Sequence, residues 1–286
     1  MTIARGRGDR ALIRARKIGR VPLNVLDRAG EQMSFYSRSI AWIPHTLVHY
    51  RKEVLRLLAE VSFGSGALAV IGGTIGVIVM MSGFTGVVVG MQGFAALEQL
   101  GSQVLTGFLS AYVNTREIAP IVAALALSAT VGCGFTAQLG AMRISEEIDA
   151  LEVMAVPSLP FLVTTRMIAG FVAVVPLYIV GLLSAYLSSR LITTTVNGQS
   201  TGSYDHYFNL FLPPEDVLYS FAKVLVFAFV LILIHCYYGY HASGGPAGVG
   251  VAVGRAVRTA IVTVAVLDFF LGLAIWGTTT TVRVAG

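Results

Sequence analysis

Residues 161–188 read FLVTTRMIAGFVAVVPLYIVGLLSAYLS, and Arg166 is the only charged residue in this stretch. A helix needs about 20 mostly apolar residues to cross the hydrocarbon core of a bilayer. The stretch therefore predicts a membrane-spanning helix. Four further segments have the same character, and we predict an all-α integral membrane protein whose other spans cover approximately residues 67–91, 120–139, 217–240 and 256–277.

The composition of the whole chain supports this fold class. Of its 286 residues, 55% are hydrophobic and 12% are charged, and the mean hydropathy is +0.76. Soluble domains usually carry about 25% charged residues. Cys133 and Cys236 lie inside apolar runs, where a thiol usually packs as a small apolar side chain. These features argue against a soluble enzyme, a disulfide framework and a metal site.

The basic residues are concentrated before the first apolar run. We therefore divide the chain into residues 1–60, a basic cytoplasmic arm with an interfacial helix, and residues 61–286, the transmembrane domain. Cytoplasmic flanks of membrane proteins are enriched in lysine and arginine. This predicts a multi-pass protein of the inner (plasma) membrane, with a cytoplasmic N-terminus and an extracytoplasmic C-terminus. A nucleic-acid-binding arm is the disfavoured alternative for these residues: Arg5, Arg7, Arg10, Arg14, Arg16, Lys17, Arg20, Arg28, Arg38, Arg51, Lys52 and Arg56.

The segment just before the first span has an amphipathic helical pattern. Leu47, Tyr50, Val54 and Leu58 recur at helical spacing, and basic residues take the opposite face. The basic flank and the span that follows favour a helix on the membrane surface. A helix packed against a soluble partner is the alternative.

The stretch from Val104 to Leu139 is too long for one simple crossing, because this much helix would be about 54 Å long. Asn114 and Glu117 match a capping box, and Pro120 suits the first turns of a helix. We therefore predict a helix start at Asn114 and a separate short helix before it.

Residues 143–157 form a loop with a short helical pattern between the second and third spans. Ser145 is a candidate N-cap, acidic residues follow it, and Pro157 ends the segment, which predicts a helix of about three turns. Ile148, Leu151 and Ala155 form an apolar stripe. The stripe fits a socket for a partner protein or a surface helix folded back on its own spans, and the pattern alone does not separate the two.

Two groups of motifs resemble one known family. The sequence LGAMRISEEIDALEVM at residues 139–154, preceded by REIAP at 116–120, resembles the MlaE/YrbE family of ABC permeases. The family's loop between its last two spans is similar to YYGY at 237–240, GGPAGVG at 244–250 and RAVR at 255–258. The details look most like the B-type YrbE permease that works with Mce proteins.

The resemblance implies a permease subunit of an ATP-driven lipid or fatty-acid importer. Its implied partners are a second, paralogous permease, a cytoplasmic ABC ATPase dimer and a Mce assembly on the far face. Lysine occurs only at positions 17, 52 and 223, so the chain has no Gly-x-x-x-x-Gly-Lys-Ser/Thr phosphate loop. We expect ATP and Mg to bind the partner ATPase, and we expect no cofactor, metal or catalytic residue in this chain.

The resemblance also implies two sets of site residues. The coupling helix, which contacts the ATPase, comprises Glu146, Glu147, Ile148, Asp149, Leu151, Glu152 and Met154. The lipid pathway comprises Val89, Leu97, Leu100, Arg116, Glu117 and Ile118, with Arg116 as a possible partner for a carboxylate or phosphate. Ordinary helix packing for the apolar members and capping for Glu117 are the alternatives.

Asp268 is an intramembrane acid in the fifth span whose partner the sequence does not identify. An intramembrane enzyme is an alternative function, because Asp268, Glu117, His235 and His241 are titratable. These residues are predicted at opposite ends of the spans, and no catalytic motif connects them. A membrane scaffold without transport activity is the third possibility.

Overall fold

The computed structural model describes residue 27, residues 29–63 and residues 73–277. The basic arm before residue 27, the predicted start of the first span at residues 67–72 and the C-terminal tail lie outside these ranges. The described residues are helical and include no strand. The helices are α1 (29–41), α2 (Ile43–His49), α3 (Arg51–Phe63), α4 (Thr74–Glu98), α5 (Gln103–Ile144), α6 (Glu147–Val153), α7 (Leu159–Thr195), α8 (Thr201–Leu210), α9 (Pro214–Tyr240) and α10 (Gly245–Trp276).

Five of these helices, α4, α5, α7, α9 and α10, are long and apolar enough to cross a membrane. The prediction of an all-α integral membrane protein is therefore confirmed. The short helix α6 lies at one end of the bundle, which we call the α6 end, and α8 lies at the opposite α8 end. The first span reaches Glu98, beyond its predicted end at Met91, because no residue between them interrupts the helix.

The predicted break in α5 is wrong. One helix runs from Gln103 to Ile144, and its backbone widens to π-helical turns at Asn114–Ile118 and Ser128–Gly132. Asn114 caps nothing, and its Nδ2 atom donates a hydrogen bond to Ser110 Oγ at 3.2 Å. A proline ring clashes with the carbonyl of an ordinary helical turn before it. The π-turn directly before Pro120 changes that spacing, so the helix continues through the proline.

Helices α4 and α7 approach each other closely enough for backbone contact. Gly86 is buried against the backbone of Ala185, and Gly90 is buried against Ser189 and Ile192. A Cβ atom at Gly86 would overlap the Ala185 carbonyl group. Small residues at membrane helix interfaces allow this kind of backbone contact. Glycine at position 86 therefore fixes the distance between the first and third spans.

The predicted amphipathic helix is divided at Tyr50, where α2 ends and α3 begins. Val54 is buried against α7, whereas Leu47 is 48% exposed. Helix α1 packs through Phe35 on the rings of Tyr237 and Tyr240 at the end of α9. Contact of α2 and α3 with a membrane surface stays a prediction.

We predict that Gly86→Ala lowers thermal stability. Overpacking a tight interface costs about 1–3 kcal/mol, and the new methyl group has no space beside Ala185. Gly134→Ala is the matched control, because no atom lies within 4 Å of its added Cβ and alanine favours the helix by about 1 kcal/mol. Thermal unfolding of both variants in one detergent measures the difference. Equal melting temperatures would contradict the packing role of Gly86.

Candidate functional site

A cluster of five charged side chains joins α5, α9 and α10 in the half of the bundle nearest the α8 end. Three of its residues were predicted site residues: Arg116 and Glu117 in the lipid pathway, and Asp268 as an intramembrane acid whose partner the sequence does not identify. Charges inside a bilayer are costly and usually pair with one another. The members are Arg116, Glu117, Asp216, Lys223 and Asp268.

The first ion pair of the cluster connects Arg116 of α5 to Asp216 of α9. Arg116 Nε and Nη2 donate to Asp216 Oδ2 at 3.0 and 2.7 Å, and both side chains are only 5% exposed. Trp276 Nε1 donates to the other carboxylate oxygen at 2.9 Å. The guanidinium group also lies over the rings of Tyr112 and Trp276, at 4.2 and 5.2 Å from their centroids. The charge of Arg116 is therefore compensated within the chain.

Lys223 of α9 is the centre of the second part of the cluster, and its side chain has no exposed surface. Its Nζ atom lies 2.7 Å from Asp268 Oδ1 and 3.2 Å from Glu117 Oε2. It also donates a hydrogen bond to the Arg116 carbonyl oxygen at 2.8 Å. One ammonium group thus holds three helices together and supplies the partner of Asp268 that the sequence did not identify.

A cavity of about 370 Å³ opens beside this cluster between α5 and α10. Charged groups line one side of it, and the aromatic and aliphatic side chains of α10 line the other. Such a mixture fits a ligand with a polar group and an apolar part. The lining includes Tyr112, Arg116, Glu117, Phe269, Leu273 and Trp276.

Of the predicted lipid-pathway residues, the structure brings only Arg116 and Glu117 to the cavity wall. Val89 is buried in the bundle, and Leu100 is 76% exposed beside the turn between α4 and α5. Leu97 and Ile118 are partly buried and do not line the cavity. The lipid-pathway assignment as a whole stays a prediction.

Sequence reasoning missed Asp216, Lys223 and Trp276. Asp216 falls just before the predicted span at 217–240, although it lies in the first turn of α9 and is 3% exposed. Lys223 was considered only as one of the three lysines, none of which lies in a phosphate loop. A lysine six residues into an apolar span was the available signal, because a buried cation requires an acidic partner.

Helix α6, the predicted coupling helix, is shorter than expected and begins differently. It has seven residues, and its N-cap is Glu146 in a left-handed conformation with φ 59°. The predicted N-cap Ser145 is wrong, because its hydroxyl group lies within hydrogen-bond distance of Ala141 O and Glu147 Oε1, to either of which its single hydrogen can be donated, and caps no backbone N–H group. Ala155 also has a positive φ of 60°, so both ends of α6 turn sharply.

The two sides of α6 have different surroundings. Ile148 is fully buried and Leu151 is partly buried against the chain's own spans. Val153 and Met154 project outward and are 88% and 64% exposed. The helix is therefore folded back through its apolar stripe, yet it presents a second apolar patch to its surroundings.

Two acids that were predicted to contact the ATPase instead contact side chains of this same chain. Asp149 Oδ1 lies 2.7 Å from Arg143 Nη1 at the end of α5. Glu152 accepts a hydrogen bond from Ser158 Oγ at 2.7 Å, and Ser158 also bonds to the Tyr240 hydroxyl at 2.8 Å. Helix α6 is thus attached to the ends of α5, α7 and α9.

The four residues considered for an intramembrane enzyme are not brought together as one group, because only Glu117 and Asp268 lie close to each other. His235 is buried, with Ser128 Oγ 2.9 Å from Nε2 and Thr136 Oγ1 2.8 Å from Nδ1, so it fills the π-turn of α5. His241 is exposed at the α6 end, whereas Glu117 and Asp268 belong to the ion cluster. Among the described residues, no group of three or more His, Cys, Asp or Glu side chains could hold a metal ion.

Comparison with known families identifies the membrane domain. The family model described as "Permease MlaE" matches residues 63–274. The chain belongs to the MlaE permease family. The matched region contains the ion cluster, α6 and all of the cavity lining except Trp276 and Gly277.

The relatives of this MlaE-family chain are named as permeases or have a name that includes a lipid. A "Probable ABC transporter permease protein" of Rickettsia bellii is 29% identical over 55% of this chain and 61% of its own length. "Protein TRIGALACTOSYLDIACYLGLYCEROL 1, chloroplastic" of Arabidopsis thaliana is 30% identical over 60% of this chain and 49% of its own length. "Probable ABC transporter permease protein slr1045" of Synechocystis is 28% identical over 60% of this chain and 65% of its own length. The alignments thus cover about half to two thirds of these relatives.

We predict that Lys223→Met strongly destabilises the protein. Removing one partner of a buried ion pair costs about 3–5 kcal/mol, because the remaining charges stay buried without compensation. The double variant Lys223→Met/Asp268→Asn should recover part of the loss. Thermal unfolding in detergent measures both effects.

Arg190→Met is the matched control for this experiment. It breaks an ion pair of similar length, 2.7 Å to Asp205, in which both side chains are more than 40% exposed. Exposed pairs contribute at most about 1 kcal/mol. Equal losses for Lys223→Met and Arg190→Met would contradict the importance of burial in the cluster.

Proposed function

We propose that this chain is the membrane permease subunit of an ATP-driven, Mce-type lipid transporter of the inner membrane. In this proposal it imports lipid or fatty acid together with a paralogous permease, a cytoplasmic ATPase pair that binds ATP and Mg, and a Mce assembly. The observation that carries the proposal is the cavity between α5 and α10, which has a polar part and an apolar part. It lies in an MlaE-family domain, and α6 is exposed at the opposite end of that domain.

The chemistry of the cavity supports a lipid substrate. Phe269 and Leu273 are 62% and 39% exposed, and they provide the apolar surface that an acyl chain requires. Glu117 and its neighbours provide polar contacts within the same volume. The Arabidopsis relative is named for trigalactosyldiacylglycerol, which is a lipid. A lipid is therefore the substrate class most compatible with both observations.

The surface of α6 supports a protein partner at the α6 end. Val153 and Met154 form an exposed apolar pair at the end of α6, close in sequence to four acids, and such a pair fits a contact with another subunit. The full sequence contains no phosphate loop for ATP, so hydrolysis belongs to that subunit. In this proposal, Asp149 and Glu152 hold α6 in position, and the outward residues make the contact.

The distribution of charge supports a cytoplasmic α6 end. Arg143 lies at the end of α5 at this end of the bundle, and exposed Arg255 and Arg258 lie in the first half of α10. Basic residues close to span ends favour the cytoplasmic side. The cavity beside Trp276 then faces the extracytoplasmic half of the membrane, where a Mce assembly would deliver the lipid.

Closure of the ATPase pair is the proposed source of movement. A displaced α6 would pull on the ends of α5, α7 and α9 through the Asp149 and Glu152 contacts. Since α5 and α9 also carry the ion cluster, movement at one end would change the cavity at the other.

We predict that native mass spectrometry of the tagged protein, purified gently from its own membranes, detects an ATPase pair, a second permease and bound acyl lipid. The expected masses follow from the proposed complex, and lipid extraction of the same sample identifies the bound molecule. A chain that is repeatedly isolated alone and without lipid would contradict the transporter proposal and favour a scaffold.

We predict that Val153→Glu and Met154→Glu reduce co-purification of the ATPase roughly tenfold or more, the equivalent of about 1.4 kcal/mol of binding energy. A charge on this exposed pair disrupts an apolar contact without entering the core. Met33→Glu is the control, because Met33 is also exposed (67%) but lies on α1. Membrane insertion is measured for all three variants. Unchanged ATPase recovery with both α6 variants would exclude this patch as the contact.

A further inference from the structure

The cavity between α5 and α10 has a charge balance that limits which lipid headgroup it accepts. The cluster contains three carboxyl groups and only two cations. With all three acids ionised the net charge is negative, and with one acid protonated it is zero. The cavity wall therefore carries no net positive charge in either protonation state.

Neither cation is free to neutralise an anionic headgroup. Arg116 shares its charge with Asp216 through two hydrogen bonds, and Trp276 holds that carboxylate from the other side. Lys223 is fully buried and contacts two carboxylates and one backbone carbonyl. Its two hydrogen bonds go to Glu117 and to the Arg116 carbonyl oxygen, and its contact with Asp268 at 2.7 Å is an ion pair without a hydrogen bond.

The most accessible charged group of the cluster is an acceptor. The Glu117 side chain is 45% exposed, compared with 13% for Asp268 and 5% for Asp216. Its Oε1 atom lies 3.7 Å from the position that a Cβ atom would occupy on Gly272, so it reaches the α10 side of the cavity. The glycine leaves space between this carboxylate and α10.

The apolar part of the cavity lies next to the same acceptor. Phe269 and Leu273 are on α10, one turn apart and on the same helix face. A single-chain or double-chain lipid lying along this face would place its headgroup at Glu117. The headgroup would meet a hydrogen-bond acceptor whose neighbouring cation, Lys223, is fully buried and also paired with Asp268.

We infer that this cavity selects lipids whose headgroup donates hydrogen bonds and carries no net negative charge, such as hydroxyl or ammonium headgroups, and that Glu117 is the specificity-determining residue. This inference rests on the proposed lipid-transport function and narrows its substrate, because an ionised fatty acid has an anionic headgroup and is disfavoured. It also replaces the expectation that Arg116 attracts a carboxylate or phosphate, because Asp216 already occupies that role.

The test compares three lipids that share one saturated chain: hexadecylamine, hexadecanol and hexadecanoate. Each is added at matched concentration to the full chain in detergent, at a pH well above the ordinary carboxyl pKa. Native mass spectrometry measures the bound fraction, and thermal unfolding provides an independent readout. We expect hexadecanoate to bind roughly tenfold more weakly than hexadecylamine, because like charges repel at this depth.

Glu117→Gln preserves the size of the side chain and removes its charge. We expect this variant to reduce the difference between hexadecylamine and hexadecanoate several-fold. Glu98→Gln is the matched control, because Glu98 is an exposed carboxylate at the same end of the bundle and does not line the cavity. A change of equal size in both variants would overturn the role of Glu117.

The outcomes separate this inference from the function on which it rests. Hexadecanoate binding as tightly as hexadecylamine would overturn the headgroup selectivity and leave the lipid-transport function in place. Failure of all three lipids to bind, in a preparation that retains the ATPase, would overturn both. Preference for hexadecylamine and hexadecanol in the native chain, reduced by Glu117→Gln alone, supports the inference.

Discussion

A buried charge must find its partner inside the protein, and Lys223 shows how this constraint organises the membrane domain. The ammonium group has no exposed surface, so the chain itself must supply its counter-charges. Glu117 comes from α5 and Asp268 comes from α10, while Lys223 belongs to α9. Apolar packing in a bilayer gives helices little directional preference, since lipid tails are as apolar as leucine. The ion cluster provides that preference, because only one rotation of each helix directs its charged residue to the shared centre.

The spans themselves could be predicted from the sequence because each is set by local hydrophobicity. The pairing of Arg116 with Asp216 could not, since it joins residues 100 positions apart and depends on the rotation of two helices. The continuity of α5 was missed for a related reason. A proline and a capping pattern ordinarily predict a helix start, but a π-turn before Pro120 relieves the clash and leaves the helix intact.

The position of α6 was predicted from its motif, but the direction in which each side chain points was not. A helical stripe specifies which residues share a face, and it does not specify whether that face meets the chain's own spans or another protein. In the structure Ile148 packs against the chain's own spans. Val153 and Met154 lie where the helix ends and are exposed. Ser145 failed as an N-cap because the chain turns through a left-handed Glu146 before the helix begins. Such a turn has no clear signal when the residue is not glycine.

The cavity and α6 lie at opposite ends, but the same helix connects them. Helix α9 contains 27 residues, a length of about 40 Å, and carries Asp216 and Lys223 near one end and Tyr240 at the other. Tyr240 contacts Ser158, which bonds to Glu152 of α6. An unbroken helix transmits an axial displacement with little loss, because its backbone hydrogen bonds would have to stretch together. A shift of α9 would move Lys223 relative to Glu117 and Asp268, and the balance of charge at the cavity wall would change with it. The ion cluster can therefore both hold the bundle together and link the state of α6 to the chemistry of the cavity.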